Sequence, residues 1–141
     1  MSITFAFTIG DRVYTESITD NCCPHIKKSP TYIITSFRSI DNKNFYSTNL
    51  NTTFEEDDLV AESEHAPYVY ETLFNKGEIA YVKKKAYYGK LAAVFIAEIR
   101  ASKAVGGIPV IIYKDNLNSL WDEEDLINGE AALALARARC S

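Results

Sequence analysis

Asn49-Leu50-Asn51-Thr52-Thr53-Phe54-Glu55-Glu56-Asp57-Asp58-Leu59-Val60 returns, 67 residues later, as Asn116-Leu117-Asn118-Ser119-Leu120-Trp121-Asp122-Glu123-Glu124-Asp125-Leu126-Ile127. Six of the twelve positions are identical and five more keep size or charge. The same offset carries Gly10-Asp11 onto Gly77-Glu78, Tyr14 onto Tyr81, and Phe45-Tyr46 onto Ile112-Tyr113. A match held at both ends of a unit of about 55 residues points to a duplicated small domain. The expected division is a first unit over residues 1–66 and a second over residues 67–141. Domains that small bury only about 60% of the surface their unfolded chain exposes, so each is expected to be marginal alone and to gain by packing on its twin.

The remaining composition is that of a globular chain inclined to strands, with 47% hydrophobic residues, nine Tyr and seven Phe. The net charge of -4 is unevenly held, at -5 over residues 1–66 and +1 over residues 67–141. A duplex-binding protein carries a basic stripe to neutralise phosphates, and the first unit has none. The second has Lys83-Lys84-Lys85, with Lys76 and Lys90 nearby, which reads as a solvated strand end or as a local anion-binding surface. The opening residues lack the basic and apolar segments of a signal peptide, and no apolar run reaches the roughly 18 residues that span a bilayer, so a cytoplasmic protein is expected. Of three cysteines, Cys22 and Cys23 are adjacent and Cys140 is next to last; this predicts reduced thiols rather than a disulfide framework.

Alternation over Ile3–Ile9 predicts a strand, with a second short strand over Arg12–Thr15 and a loop over Thr19–Pro30. Thr31–Arg38 and Phe45–Thr48 predict a hairpin around the polar turn Asp41-Asn42-Lys43-Asn44. Pro67 and Gly77 bracket Ala66–Lys76 as a short helix would require, although its tyrosines also suit a strand. Residues 90–105 set helix-favouring alanines against correspondence with the first unit. The strand is preferred, with Leu91, Ala93, Phe95, Ala97 and Ile99 expected inside. Pro109–Tyr113 is its expected partner, and Asn128 is expected to cap a helix from about Glu130 to Arg139.

Short bent strands in a unit that opens with Gly-acidic-x-x-Tyr and closes with acidic-Asp-Leu resemble an SH3-like small β-barrel of the Tudor or KOW shape, over residues 8–60 and 75–127. The resemblance implies a mainly β chain of two tandem SH3-like barrels with a C-terminal helix. The closing segment Leu-Asn-x-x-aromatic-acidic is also similar to that of small phage-encoded proteins. Neither resemblance implies an active site.

Cys22-Cys23-Pro24-His25 gathers three soft ligands, but a zinc site needs a second chelating pair and the chain has none. The acidic runs at 55–58 and 122–125 lack the spacing of a calcium loop and read as solvated faces. No metal, cofactor or catalytic residue is therefore assigned. Phe54 and Trp121 share one repeated position and are expected in the core. Such folds imply ligand-gripping aromatics beside their loops, which makes Tyr14, Tyr32, Tyr81, Tyr87 and Tyr88 the candidate partner-binding residues, together with Lys83, Lys84 and Lys85. The expected function is a non-enzymatic protein-interaction or assembly module, such as a phage structural or accessory protein, in the host cytoplasm or the virion. The alternatives are a nucleic-acid-binding module acting through the second unit and a small-ligand binder.

Overall fold

The computed structural model describes residues 2–18, 25–105 and 108–140, and the chain is mainly β. Its strands are β1 (Ser2–Phe5), β2 (Arg12–Tyr14), β3 (Glu16–Ile18), β4 (Ile26–Lys28), β5 (Tyr32–Ile40), β6 (Lys43–Thr48), β7 (Thr53–Glu55), β8 (Val60–Ala61), β9 (Tyr68–Glu71), β10 (Ile79–Val82), β11 (Ala93–Val105), β12 (Ile108–Asp115), β13 (Leu120–Asp122) and β14 (Leu126–Ile127). Helix α1 (Lys83–Tyr87) follows β10, and α2 (Gly129–Cys140) ends the chain. Two 3-10 turns, Glu56–Asp58 and Glu123–Asp125, link β7 to β8 and β13 to β14. Two compact units result. The N-terminal unit is Ser2–Tyr70 with Ala101–Val110, and the C-terminal unit is Glu71–Arg100 with Ile111–Ser141.

In the N-terminal unit the hydrogen-bonded order is β8-β2-β5-β6-β7. Asp41, with φ 53°, turns the β5–β6 hairpin in the left-handed region that Asp and Asn tolerate. A bulge between Ile34 and Ser36 bends β5 over the core. That core is aromatic: Phe5 meets Phe37 at 4.4 Å between ring centroids, and Phe7 meets Tyr46 edge-on at 5.2 Å. Val13, Ile34 and Leu59 complete it, all buried.

In the C-terminal unit the order is β14-β10-β11-β12-β13. Phe74, Ala80, Val94, Ile96, Tyr113 and Leu126 are buried there, joined by Ala132 and Ala136 of α2. Helix α2 starts as its sequence predicts, with Asn128 Oδ1 accepting from the Ala131 amide at 2.8 Å.

The local patterns of the two units recur at residues 67 apart. Val13 and Tyr14 pair with Ala61 and Val60, and Tyr81 pairs with Ile127. Tyr46 faces Phe54 as Tyr113 faces Trp121. Gly10 and Gly77, at φ 93° and 89°, occupy a turn closed to side chains by backbone strain, and each donates its amide to a strand carbonyl, Ile34 or Ile96, so that β5 and β11 correspond at an offset of 62 rather than 67. Asn51 and Asn118 both take positive φ, at 59° and 64°.

Several expectations are corrected. The strands of neither unit close into a barrel. Their end strands, of two and three residues, are joined by a 3-10 turn, and no pairing between them completes the circuit. Residues 68–71 form strand β9, paired with β1, rather than a helix; β-favouring Tyr-Val-Tyr outweighs the flanking Pro and Gly. The loop expected over residues 19–30 contains β4, paired with β3, while residues 19–24, with Cys22 and Cys23, lie outside the described residues. The lysine run is a helix, α1, rather than a strand end. Residues 93–105 are a strand as expected, but Leu91 and Phe95 are exposed while Val94, Ile96 and Glu98 are buried; Ile99 is buried as expected, the buried parity changing between Glu98 and Ile99. Phe54 and Trp121 are only half-buried, whereas their cross-strand neighbours Tyr46 and Tyr113 are fully buried.

Candidate functional site

Trp121 stands on β13 opposite Tyr113, and two buried residues, Tyr113 and Asp115, fix the ground beneath it. The Tyr113 hydroxyl donates to Glu123 Oε1 at 2.8 Å and accepts from the Leu73 amide at 3.0 Å. Burial, then the hydrogen bond to the Glu123 carboxylate, raises the phenol far above its usual pKa, so it stays a donor. This ties the 3-10 turn Glu123–Asp125 to the core. Asp115, buried at the end of β12, accepts from Trp121 Nε1 at 3.0 Å and from the amides of Leu117 at 2.9 Å and Ser119 at 2.8 Å. Burial pushes its carboxyl up, but the hydrogen bonds from Trp121, Ser119 and Leu117 outweigh that and hold it below the ordinary carboxylate range. The indole is thereby held in one orientation.

Helix α1 rises beside it. Three lysines and an alanine are good helix formers, and Ala86 is its buried contact with the unit. Its length brings Lys83, Lys84, Tyr87 and Tyr88 to one side of a groove of about 730 Å3. Val82 and Trp121 contribute from β10 and β13, Leu135 from α2, and Glu124 and Asp125 from the 3-10 turn. The rings of Tyr87 and Tyr88 meet edge to face at 5.5 Å. Arg139 of α2 lies 4.1 Å over the Tyr87 ring and donates through Nε to the Tyr87 carbonyl at 2.8 Å, pinning α1 to α2. Tyr88 remains 65% exposed, a large outlay of aromatic surface to water.

The groove's charges are separated by element: cations come from α1 and carboxylates from the 3-10 turn. Asp125 is committed, since its Oδ2 accepts from the Asp122 amide at 3.3 Å. The side chains of Lys83, Lys84 and Glu124 make no hydrogen bond or ion pair among the described residues.

The corresponding place in the N-terminal unit is filled. Phe54 packs against Tyr32 at 5.2 Å. The register that sets Val13 opposite Tyr32 sets Ala80 opposite Val94, so a valine stands where the covering tyrosine would be. After β2 that unit continues into the β3–β4 hairpin, where the C-terminal unit turns into α1.

Of the sequence-derived candidates, Lys83, Lys84, Tyr87 and Tyr88 converge on this groove. Lys85 lies on α1 outside the lining, its carbonyl taking the amides of Tyr88 and Lys90. Tyr81 packs beneath the start of α2, where a side chain on Gly129 would meet its ring at 3.2 Å. Tyr14 lies under Lys28, whose Nζ is 5.2 Å from the ring, and Tyr32 covers Phe54. Sequence reasoning places Trp121 in the core rather than on a ligand platform and reads Glu124 and Asp125 as part of a solvated face; it gives no role to Val82 or Leu135. The signal available was that α1 replaces a hairpin at the matching point of the repeat.

A smaller polar recess of about 220 Å3 in the N-terminal unit is lined by Asp11, Arg12, Glu62, Ser63 and His65. Its charged groups already face one another, His65 Nε2 at 3.2 Å from Asp11 Oδ2 and Arg12 Nε at 3.2 Å from Glu62 Oε2. Among the described residues no group of three or more His, Cys, Asp or Glu side chains is placed to hold a metal, and no helix is long and apolar enough to cross a membrane. Compared with known proteins, the chain matches no family model, no curated protein and no solved structure.

Proposed function

We propose that the protein is a non-enzymatic interaction or assembly module that grips a segment of a protein partner in the groove of its C-terminal unit. The observation that carries this reading is the groove over Trp121, with Tyr88 exposed beside it and charges on its walls that pair with nothing among the described residues. Aromatic side chains gain more than most from burial against a partner and lose little entropy, which is why they concentrate in interface hot spots. The architecture we infer is a duplicated SH3-like unit. What supports it is the shared five-strand order, the 3-10 turn between the last two strands, and registers recurring at an offset of 67. A role as a phage structural or accessory protein rests on the similarity of the closing segment alone.

The test is selection of a displayed random-peptide library on the immobilised protein. Enriched peptides are expected to bind the wild type and to lose about tenfold or more in affinity on Tyr88→Ala, an exposed substitution in a hot-spot position. No enrichment, or binding indifferent to Tyr88→Ala and Trp121→Phe, would remove the groove from the reading.

Nucleic acid binding is the second reading, favoured by Lys83 and Lys84 beside two tyrosines. Against it, Glu124 and Asp125 line the same groove and would repel phosphate.

A further inference from the structure

The reading above leaves the partner's chemistry open, and the groove's charges address it. Resting on that reading, we infer that the groove selects a bipolar peptide: one large apolar side chain flanked by an acidic residue on one side and a basic residue on the other.

The floor of Val82, Leu135 and the Trp121 indole is apolar and takes the central anchor. The side chains of Lys83 and Lys84 on α1, and of Glu124 on the 3-10 turn, have no partners among the described residues. A segment acidic on both sides of its anchor satisfies the lysines and meets Glu124 and Asp125 with like charge. A segment basic on both sides does the reverse. Only opposite flanks satisfy both walls at once, and the orientation of the chain in the groove is then set by charge.

Three capped heptapeptides with a central leucine test the inference, carrying aspartate and arginine, two aspartates, or two arginines as flanks. Trp121 is the only tryptophan, so its emission reports occupancy of the groove directly. The bipolar peptide is expected to bind about three- to tenfold more tightly than either like-charged peptide, the scale of two partly exposed ion pairs. The preference should shrink in 0.5 M salt, where screening acts within about 4 Å. Glu124→Lys should turn the preference toward the two-aspartate peptide, and Lys83→Glu/Lys84→Glu toward the two-arginine peptide; the first remains informative if the second fails to fold. Equal affinity for all three peptides, or a ranking unmoved by Glu124→Lys, overturns the inference while leaving the groove as a peptide site. Failure of every peptide to perturb Trp121 overturns both.

Discussion

The Trp121 indole N–H donates to Asp115 Oδ2 at 3.0 Å, and that carboxylate also gathers the amides of Leu117 and Ser119, so one buried charge holds both the turn and the floor of the groove. Asp115→Ala strands three donors and is expected to cost about 2–4 kcal/mol. Denaturant midpoints at constant slope measure it. Asp115→Asn, which keeps an accepting oxygen, should cost less and retain more of the wild-type Trp emission.

The same contact sets an acid dependence. Because folding lowers the pKa of Asp115, its contribution is present above the unfolded value of about 3.9 and is lost as pH falls through the folded value. Stability of the wild type should therefore drop more steeply than that of Asp115→Asn below about pH 4. Parallel profiles for the two proteins would contradict this.

Tyr46 and Tyr113 should behave alike. Each hydroxyl donates to a glutamate ten residues on, Glu56 Oε1 at 2.5 Å or Glu123 Oε1 at 2.8 Å, and each phenol is raised far above its usual pKa, by burial first and then by that carboxylate. Tyr46→Phe and Tyr113→Phe leave a carboxylate short of a donor and should each cost about 1–3 kcal/mol. A folded pKa above the unfolded value of about 10 contributes stability below pH 10 that is lost as pH rises. Ionisation of these two phenols, followed by absorbance, should thus coincide with alkaline unfolding.

Half-burial changes what truncating the repeated aromatics should do. Phe54→Ala removes the packing partner of Tyr32 and is expected to cost about 1–3 kcal/mol rather than the larger penalty of a core cavity. Trp121→Ala should destabilise on the same scale, and it alone of the two should abolish peptide binding. Equal loss of binding in both variants would mean that the sites are not distinguished by their cover.

Much of the fold was legible because repetition supplied a second copy to check against. The β5–β6 hairpin followed from Asp41-Asn42 between apolar runs, and β11 followed from correspondence with β5 where alanine content favoured a helix. Parity along β11 was not legible. Leu91 and Phe95 alternate with Val94 and Ile96, both sets are apolar, and the period alone does not say which faces inward. Phe54 and Trp121 recur, yet recurrence marks equivalent position rather than depth. The buried pair, Tyr46 and Tyr113, recurs as well and has polar tips, which the glutamates ten residues on and the amides of Phe7 and Leu73 satisfy. The groove escaped sequence reading because its lining comes from Val82–Tyr88, Trp121–Asp125 and Leu135, brought together by two helices with no counterpart among the described residues of the N-terminal unit.

The membership of residues 101–110 in the N-terminal unit has a consequence for synthesis. A growing chain that has emerged as far as Tyr70 still lacks part of that unit, and must hold it unfinished while Glu71–Arg100, belonging to the other unit, passes through. Strand pairings across such a separation close late and slowly. The first-made half of the protein is thus completed only after much of the second half has been made, and its aromatic segments stay open to chaperones and to neighbouring nascent chains for that interval.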